Sequence, residues 1–489
     1  MTALRFPDRD EKCPTQPLNA TTVAEALPET VPRPPVRIVH IGLGAFHRAH
    51  QLWYTAVVDG ENEWGVAAFT GRGAAAARMI AAQNGLCTVV QRAAGVETRT
   101  LVTNLVEAHH GSDVARLATS IADPAVRLVT LTITEAGYRF GENGRISTRD
   151  PVLAGDLTRW KRASADEVVP ELQTALVRLL WGLNERRRST GRPIAIVPCD
   201  NMPENGPMVG RAAVDLAREV DNDLADWVRE SVSFVSTVVD RITPATTERD
   251  IRDLQTATGF VDQAVVVTEA FSEWILSGTF PEGRPPWELA GARFVDDIAP
   301  FERRKLWLLN GAHTLLAMTA RHRGLSTVAE AITDPETRRA VEDYWDAVVP
   351  WLPEPELDLE KYRRDLLARF ENPHLAHRLE QIALGSVMKL RIRTLPVIEC
   401  QWGMGVVPEA LLLSLSGWIA GAIVGWEDND DNVLRAVQTS DPVCELLKIL
   451  DDRLGRDDLS VAIVRAQVAQ LLSTHTRFPS DQGVSRDYR

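Results

Sequence analysis

One lysine, one asparagine and one histidine interrupt an apolar run, KLWLLNGAHTLLA, from Lys305 to Ala317. If the run is an α-helix, Asn310 and His313 stand roughly 140° and 80° around the axis from Lys305, so all three can line one broad face. Those residue types suit the oxidation of an alcohol. A base must take the hydroxyl proton as hydride leaves carbon, and polar donors must hold the developing alkoxide. Lys305 fits the base, because leucine and tryptophan neighbours disfavour its ammonium form. Asn310 and His313 fit the donors. The bland alternative is a satisfied core histidine beside a lysine whose ammonium reaches solvent. No Cys/His cluster has zinc spacing, so the scheme is expected to need no metal.

Hydride chemistry needs a nicotinamide cofactor, and IGLGAFHRAHQ (Ile41 to Gln51) offers a place for one. Gly42 and Gly44 form a GxG between an apolar strand, VRIVHIGLG, and a helical pattern, where backbone N–H groups and a helix start can hold a pyrophosphate. The third glycine of the usual fingerprint is His47. The cofactor-binding set expected here is Ile41, Gly42, Gly44, Ala45, Phe46, His47 and Arg72, with Arg48 and His50 as further polar neighbours; a ligand-free structural turn is the alternative. An acid after the second strand normally reads the ribose of NAD. No Asp or Glu occurs from Trp64 to Val96, and Arg72 and Arg78 stand in that stretch. NAD is the first expectation, and NADP is open because a guanidinium can accept a 2′-phosphate.

These groups must be carried by a larger frame. The 489 residues exceed what one core organises, and the 45% hydrophobic content suits a soluble globule. Residues 1–35 hold LPETVPRPP and read as an irregular extension. From Val36, apolar runs at WGVAAFT, VRLVTLTIT, RPIAIVPCD and VSFVSTVVD alternate with helical segments, which argues for a doubly wound α/β domain over 36–230. The remainder, 231–489, reads as mainly helical and substrate-binding, with 231–295 open to rejoining the sheet.

A net charge of -13 and the absence of a basic patch speak against a nucleic-acid partner. Cys13, Cys87, Cys199, Cys400 and Cys444 form no CxxC pair and suggest a reducing cytoplasm. MTALRFPDRDEKC lacks the apolar core of an export signal. ALLLSLSGWIAGAIVGW (Ala410 to Trp426) is short for a membrane span and reads as a core helix. No heptad seam or repeated interface motif is present, so monomer and dimer both stand.

The sequence resembles the polyol-specific long-chain dehydrogenase/reductase family, the mannitol 2-dehydrogenase and fructuronate reductase group. The resemblance rests on IGLGAFHRAHQ, LTITEAGY, CDNMPENG, VVDRITPATT, the stretch from Phe271 to His313, and RFENP, in order between Val36 and about Lys389. It implies a Rossmann-type domain followed by a helical domain, a nicotinamide cofactor and no zinc. It implies Lys305 as general acid/base, Asn310 and His313 polarising the carbonyl, and Glu302 exchanging the proton with solvent. Asn201, Asp240 and Lys389 are implied around the substrate. Three features depart from the family pattern. Its DGSxK motif reads LGSVMK with Leu384 for the acid, an arginine eight residues before that lysine is Gln381, and GWMRY reads GWIAGA. The substrate expected first is D-mannitol with D-fructose; fructuronate and mannitol 1-phosphate are alternatives, Arg391, Arg393 or Lys389 being able to meet an anion. A nicotinamide-binding sensor is the alternative outside catalysis, against which stands the intact trio.

Overall fold

The structure is a computed structural model that describes residues 15–477 apart from 27–30, 32, 72, 94–95, 142–144, 148, 167, 353–356, 374–376 and 427–429. The chain forms two compact units, residues 1–298 and 299–489.

The first unit is built on a six-stranded parallel sheet. Its strands are β1 (Val36–Ile41), β2 (Gly65–Phe69), β3 (Leu105–His109), β4 (Leu128–Leu131), β5 (Ile194–Pro198) and β6 (Val232–Phe234), in the spatial order β3-β2-β1-β4-β5-β6. That is the order of a dinucleotide-binding Rossmann sheet. The near-continuous apolar character of the strands has its reason in burial on both faces. Val39, Ile41, Val129 and Leu131 join one core, while Ile38, Leu128, Ala195 and Val197 join the other. Helices Val114–Ala122 and Ala175–Ser189 cover the first face.

Residues 231–298 belong with this unit. Beyond β6, the strand Ser236–Asp240 pairs antiparallel with Glu273–Ser277, and Val266–Glu269 pairs parallel with Cys87–Ala93. The proposed boundary near 230 thus moves to Ile298, because Val232–Phe234 and Val266–Glu269 pair with strands from before residue 230. The irregular extension is also corrected in part. Gln16–Pro17 pairs with Phe260–Val261, and a helix spans Ala20–Ala26. Leu18 and Val23 pack with Leu86, Leu101 and Phe260 in a small satellite core, the physical reason that this proline-containing stretch is ordered.

The second unit is helical, as the spacing predicts. Every residue from Gly311 to Thr319 is buried, and Glu409–Ile423 packs on that helix through Gly417, where a Cβ would stand 2.8 Å from backbone and side-chain atoms of Met318. The GWIAGA sequence therefore supplies close helix contact. Among the described residues no helix is long and apolar enough to cross a membrane.

Leu18→Ala tests the extension as part of the fold. Emptying this buried site is expected to cost about 2 to 5 kcal/mol in urea denaturation; an unchanged midpoint would show that the segment adds nothing to stability.

Candidate active site

The helix that bears the trio is not uniform. It runs as α-helix over Ala299–Arg304, as π-helix over Lys305–Asn310, and again as α-helix over Gly311–Thr319. The Gly311 N–H reaches back five residues to Leu306 O. The geometry expected for a regular α-helix is corrected accordingly, since the wider turn draws Asn310 back toward the azimuth of Lys305. Side chains also donate to carbonyls of this turn. Trp345 Nε1 donates to Leu308 O at 2.9 Å, and Thr314 Oγ1 donates to Asn310 O at 3.0 Å.

Lys305 is 9% exposed, so its side chain lies in the interior of the protein. His313 is buried beside Phe370 and edge-on to His377 at 5.0 Å between ring centres. Burial holds its imidazole well below the usual histidine range, and His377, Arg369, Arg393 and Lys389 push the same way. Its Nε2 is buried with no hydrogen-bond partner among the described residues. A neutral imidazole with an unsatisfied ring nitrogen is suited to one hydrogen bond to a ligand oxygen. Glu302 lies three residues before Lys305 and is half-buried; Lys389, also half-buried, donates to Ile382 O at 2.7 Å.

In the first unit a cavity of about 1110 Å³ opens at the carboxyl ends of β1 and β4, where the strand order reverses. Ligands of doubly wound sheets bind at such switch points. Ile41, Gly42 and Leu43 line it on one side, Thr132 to Thr134 on another. Of the expected cofactor set, Ile41 and Gly42 line this cavity. Gly44, Ala45 and Phe46 form the start of the following helix, and Arg72 lies outside the described residues. His47 is buried and stacked face to face on His40, ring centres 3.4 Å apart. Strand β2 ends at Phe69 and continues into Thr70 and Gly71, with no acid beside the cavity at that point. The volume, the switch point and the glycine turn fit a dinucleotide.

Asn201 follows β5 and is exposed, while Asp240 ends its strand and is buried. The residue before Asn201 has a partner that its sequence does not announce: Tyr138 Oη donates to Asp200 Oδ2 at 2.5 Å in a buried pair. His40, Tyr138, Arg369 and His377 were not singled out from the sequence. His40 carried a signal as a polar residue in an apolar strand, and Tyr138 and Arg369 lie in the LTITEAGY and RFENP motifs; His377 carried none. Among the described residues no three His, Cys, Asp or Glu side chains come together as a metal site requires.

Residues 36–289 match the mannitol dehydrogenase Rossmann domain and residues 297–478 the mannitol dehydrogenase C-terminal domain. The chain belongs to the mannitol dehydrogenase family. Members of this oxidoreductase family act on CH–OH groups with a nicotinamide cofactor. D-mannonate oxidoreductase of Escherichia coli is 32% identical over 86% of this chain and 86% of its own length. Mannitol 2-dehydrogenase of Aspergillus fumigatus is 31% identical over 90% and 88%. Among solved structures, the Pseudomonas fluorescens mannitol 2-dehydrogenase ternary complex with NAD and D-mannitol superposes with a TM-score of 0.79 at 28% identity, covering 94% of this chain and 99% of that one.

The buried imidazoles make stability depend on pH. Burial lowers His40 to about 3 and His322 to about 4, and holds His47 and His313 well below 6.5. Below about pH 6.5 the unfolded chain binds protons that the folded chain does not, so stability falls with falling pH by up to about 1.4 kcal/mol per unit for each wholly buried ring. Urea denaturation at pH 7.5 and 5.0 measures this; equal stabilities would show that these rings accept protons in the fold.

Proposed function

We propose that the protein catalyses reversible hydride transfer between a nicotinamide cofactor and a linear polyol or its ketose, D-mannitol and D-fructose being the first pair. The reading rests on Lys305, Asn310 and His313 following one another along one buried helix, with His313 Nε2 awaiting a partner. In oxidation Lys305 takes the hydroxyl proton. Asn310 and His313 donate hydrogen bonds to the same oxygen, and a neutral His313 does so from its Nε2–H tautomer. A nicotinamide held at the glycine turn would supply or take up the hydride. Glu302 passes the proton between Lys305 and solvent, while Asn201, Asp240 and Lys389 hold the remaining hydroxyls.

Ile41, Gly42, Gly44, Ala45, Phe46 and His47 form the proposed cofactor segment, and Arg72, which follows β2 in the sequence, completes the set. NAD is the first choice; NADP remains an alternative because no acid follows β2. A cytoplasmic location, a monomer or dimer, and no metal, nucleic-acid or membrane partner complete the proposal.

A second reading, reduction of a keto-uronate such as fructuronate, is favoured by the cations around His313. Arg369 is buried, and Arg393 Nη1 donates to Thr314 Oγ1 at 3.1 Å on the trio's own helix. Arg391 is a weaker carboxylate partner, since its guanidinium donates to Leu450 O and Ile449 O. Mannitol 1-phosphate would use the same cations.

Absorbance at 340 nm, with NADH and NADPH crossed against fructose, fructuronate and fructose 6-phosphate, separates these readings. Preference for fructose supports the first, and faster turnover of fructuronate replaces it with the second. Lys305→Ala is expected to lower kcat about a hundredfold to ten-thousandfold; a loss of only a few fold would remove Lys305 as the acid/base.

A further inference from the structure

Beneath the glycine turn lies a chain of groups that the hydride transfer does not use. His40, next to last in β1, is fully buried, and its Cα partner across the ladder is Thr130 of β4. His40 Nδ1 lies 2.8 Å from Thr130 Oγ1, and His40 Nε2 lies 3.0 Å from Thr132 Oγ1. Thr132 Oγ1 in turn donates to Gly42 O at 2.8 Å. A hydroxyl has one proton to give. Having given it to Gly42, Thr132 accepts from His40, which fixes the Nε2–H tautomer and makes Thr130 the donor to Nδ1. The relay is therefore directional, from Thr130 through His40 and Thr132 to the Gly42 carbonyl.

The peptide at its end is held from both sides. The Gly42 carbonyl accepts from Thr132, and the Leu43 N–H of the same peptide unit donates to Phe69 O at 2.9 Å. Gly42 has φ of +113°, and a Cβ there would stand 2.1 Å from Thr132 O. Glycine alone fits the site, yet glycine is also the residue whose peptide swings most easily. Thr132 supplies the restraint that glycine lacks. Gly42, Leu43 and Thr132 all line the switch-point cavity, so a swung carbonyl oxygen there would oppose an anionic ligand. His47 stacks on His40 with the ring planes 6° apart and closes the relay off.

We propose that His40 and Thr132 are positioning residues for the nucleotide, holding the Gly42–Leu43 peptide in the one orientation that leaves the turn open to a pyrophosphate, and that His47 acts by stacking on His40 rather than by touching phosphate. The inference rests on the reading of this turn as the cofactor site.

Binding of NADH and NADPH, followed by tryptophan fluorescence and calorimetry, tests it on Thr132→Val, Thr132→Ser, His40→Phe and His40→Gln. Thr132→Val keeps shape without the donor, and His40→Phe keeps a stacking ring without the donor. Each is expected to raise the nucleotide Kd about tenfold, on the scale of one lost hydrogen bond, with cofactor KM rising more than kcat falls. Thr132→Ser and His40→Gln retain a donor and are expected to stay within about threefold. Wild-type affinity in Thr132→Val, or equal losses in the donor-retaining variants, would overturn the proposal; if His40→Phe does not fold, the threonine pair decides alone. Failure of the wild-type protein to bind either nucleotide would bring down the cofactor reading and this inference with it.

Discussion

A single π turn governs the chemistry-bearing helix. Opening the helix to an i→i+5 closure over Lys305–Asn310 sets where Lys305 and Asn310 stand relative to His313, and side chains from neighbouring residues donate to carbonyls of the turn. Trp345, on the helix Pro335–Val348, answers Leu308 O; Thr314 and Arg393 answer Asn310 O. The same packing brings Tyr344 against Gly311, where a Cβ would meet Tyr344 Oη at 2.3 Å. The trio's geometry is thus a property of the helices around it. A second π turn, Arg48–Leu52, interrupts the helix after the glycine turn in the first unit. Both helices singled out from the sequence for chemistry contain a π turn.

Local electrostatics run against the whole chain. The net charge is -13, yet the environment of His313 is set by burial and then by His377, Arg369, Arg393 and Lys389. A histidine in these surroundings stays neutral, and a neutral donor near several cations suits an oxygen that gains negative charge during the reaction. The buried imidazoles of the first unit are also neutral, but there the ring works through hydrogen bonds: His40 joins two strands and the glycine turn. One residue type therefore has an unpartnered ring nitrogen among the described residues in one unit and a fully hydrogen-bonded ring in the other, and the neighbours decide which.

What the sequence determined by itself was everything carried by short-range pattern. Apolar strands alternating with helices specified the doubly wound sheet, the GxG after VRIVHI specified the turn at its switch point, and helical spacing from about residue 300 specified the second unit. Long matching motifs specified the family. Tertiary structure alone decided the rest, because the deciding contacts join residues far apart in the chain. Gln16–Pro17 is a strand only because Phe260–Val261 is there to pair with it. His47 stands where the fingerprint has a glycine, and only the fold shows its ring stacked on that of His40. Lys305, Asn310 and His313 were legible as residues, but their angles around the axis were not, since the π turn packs among distant residues such as Trp345, donor to Leu308 O, that no local window contains.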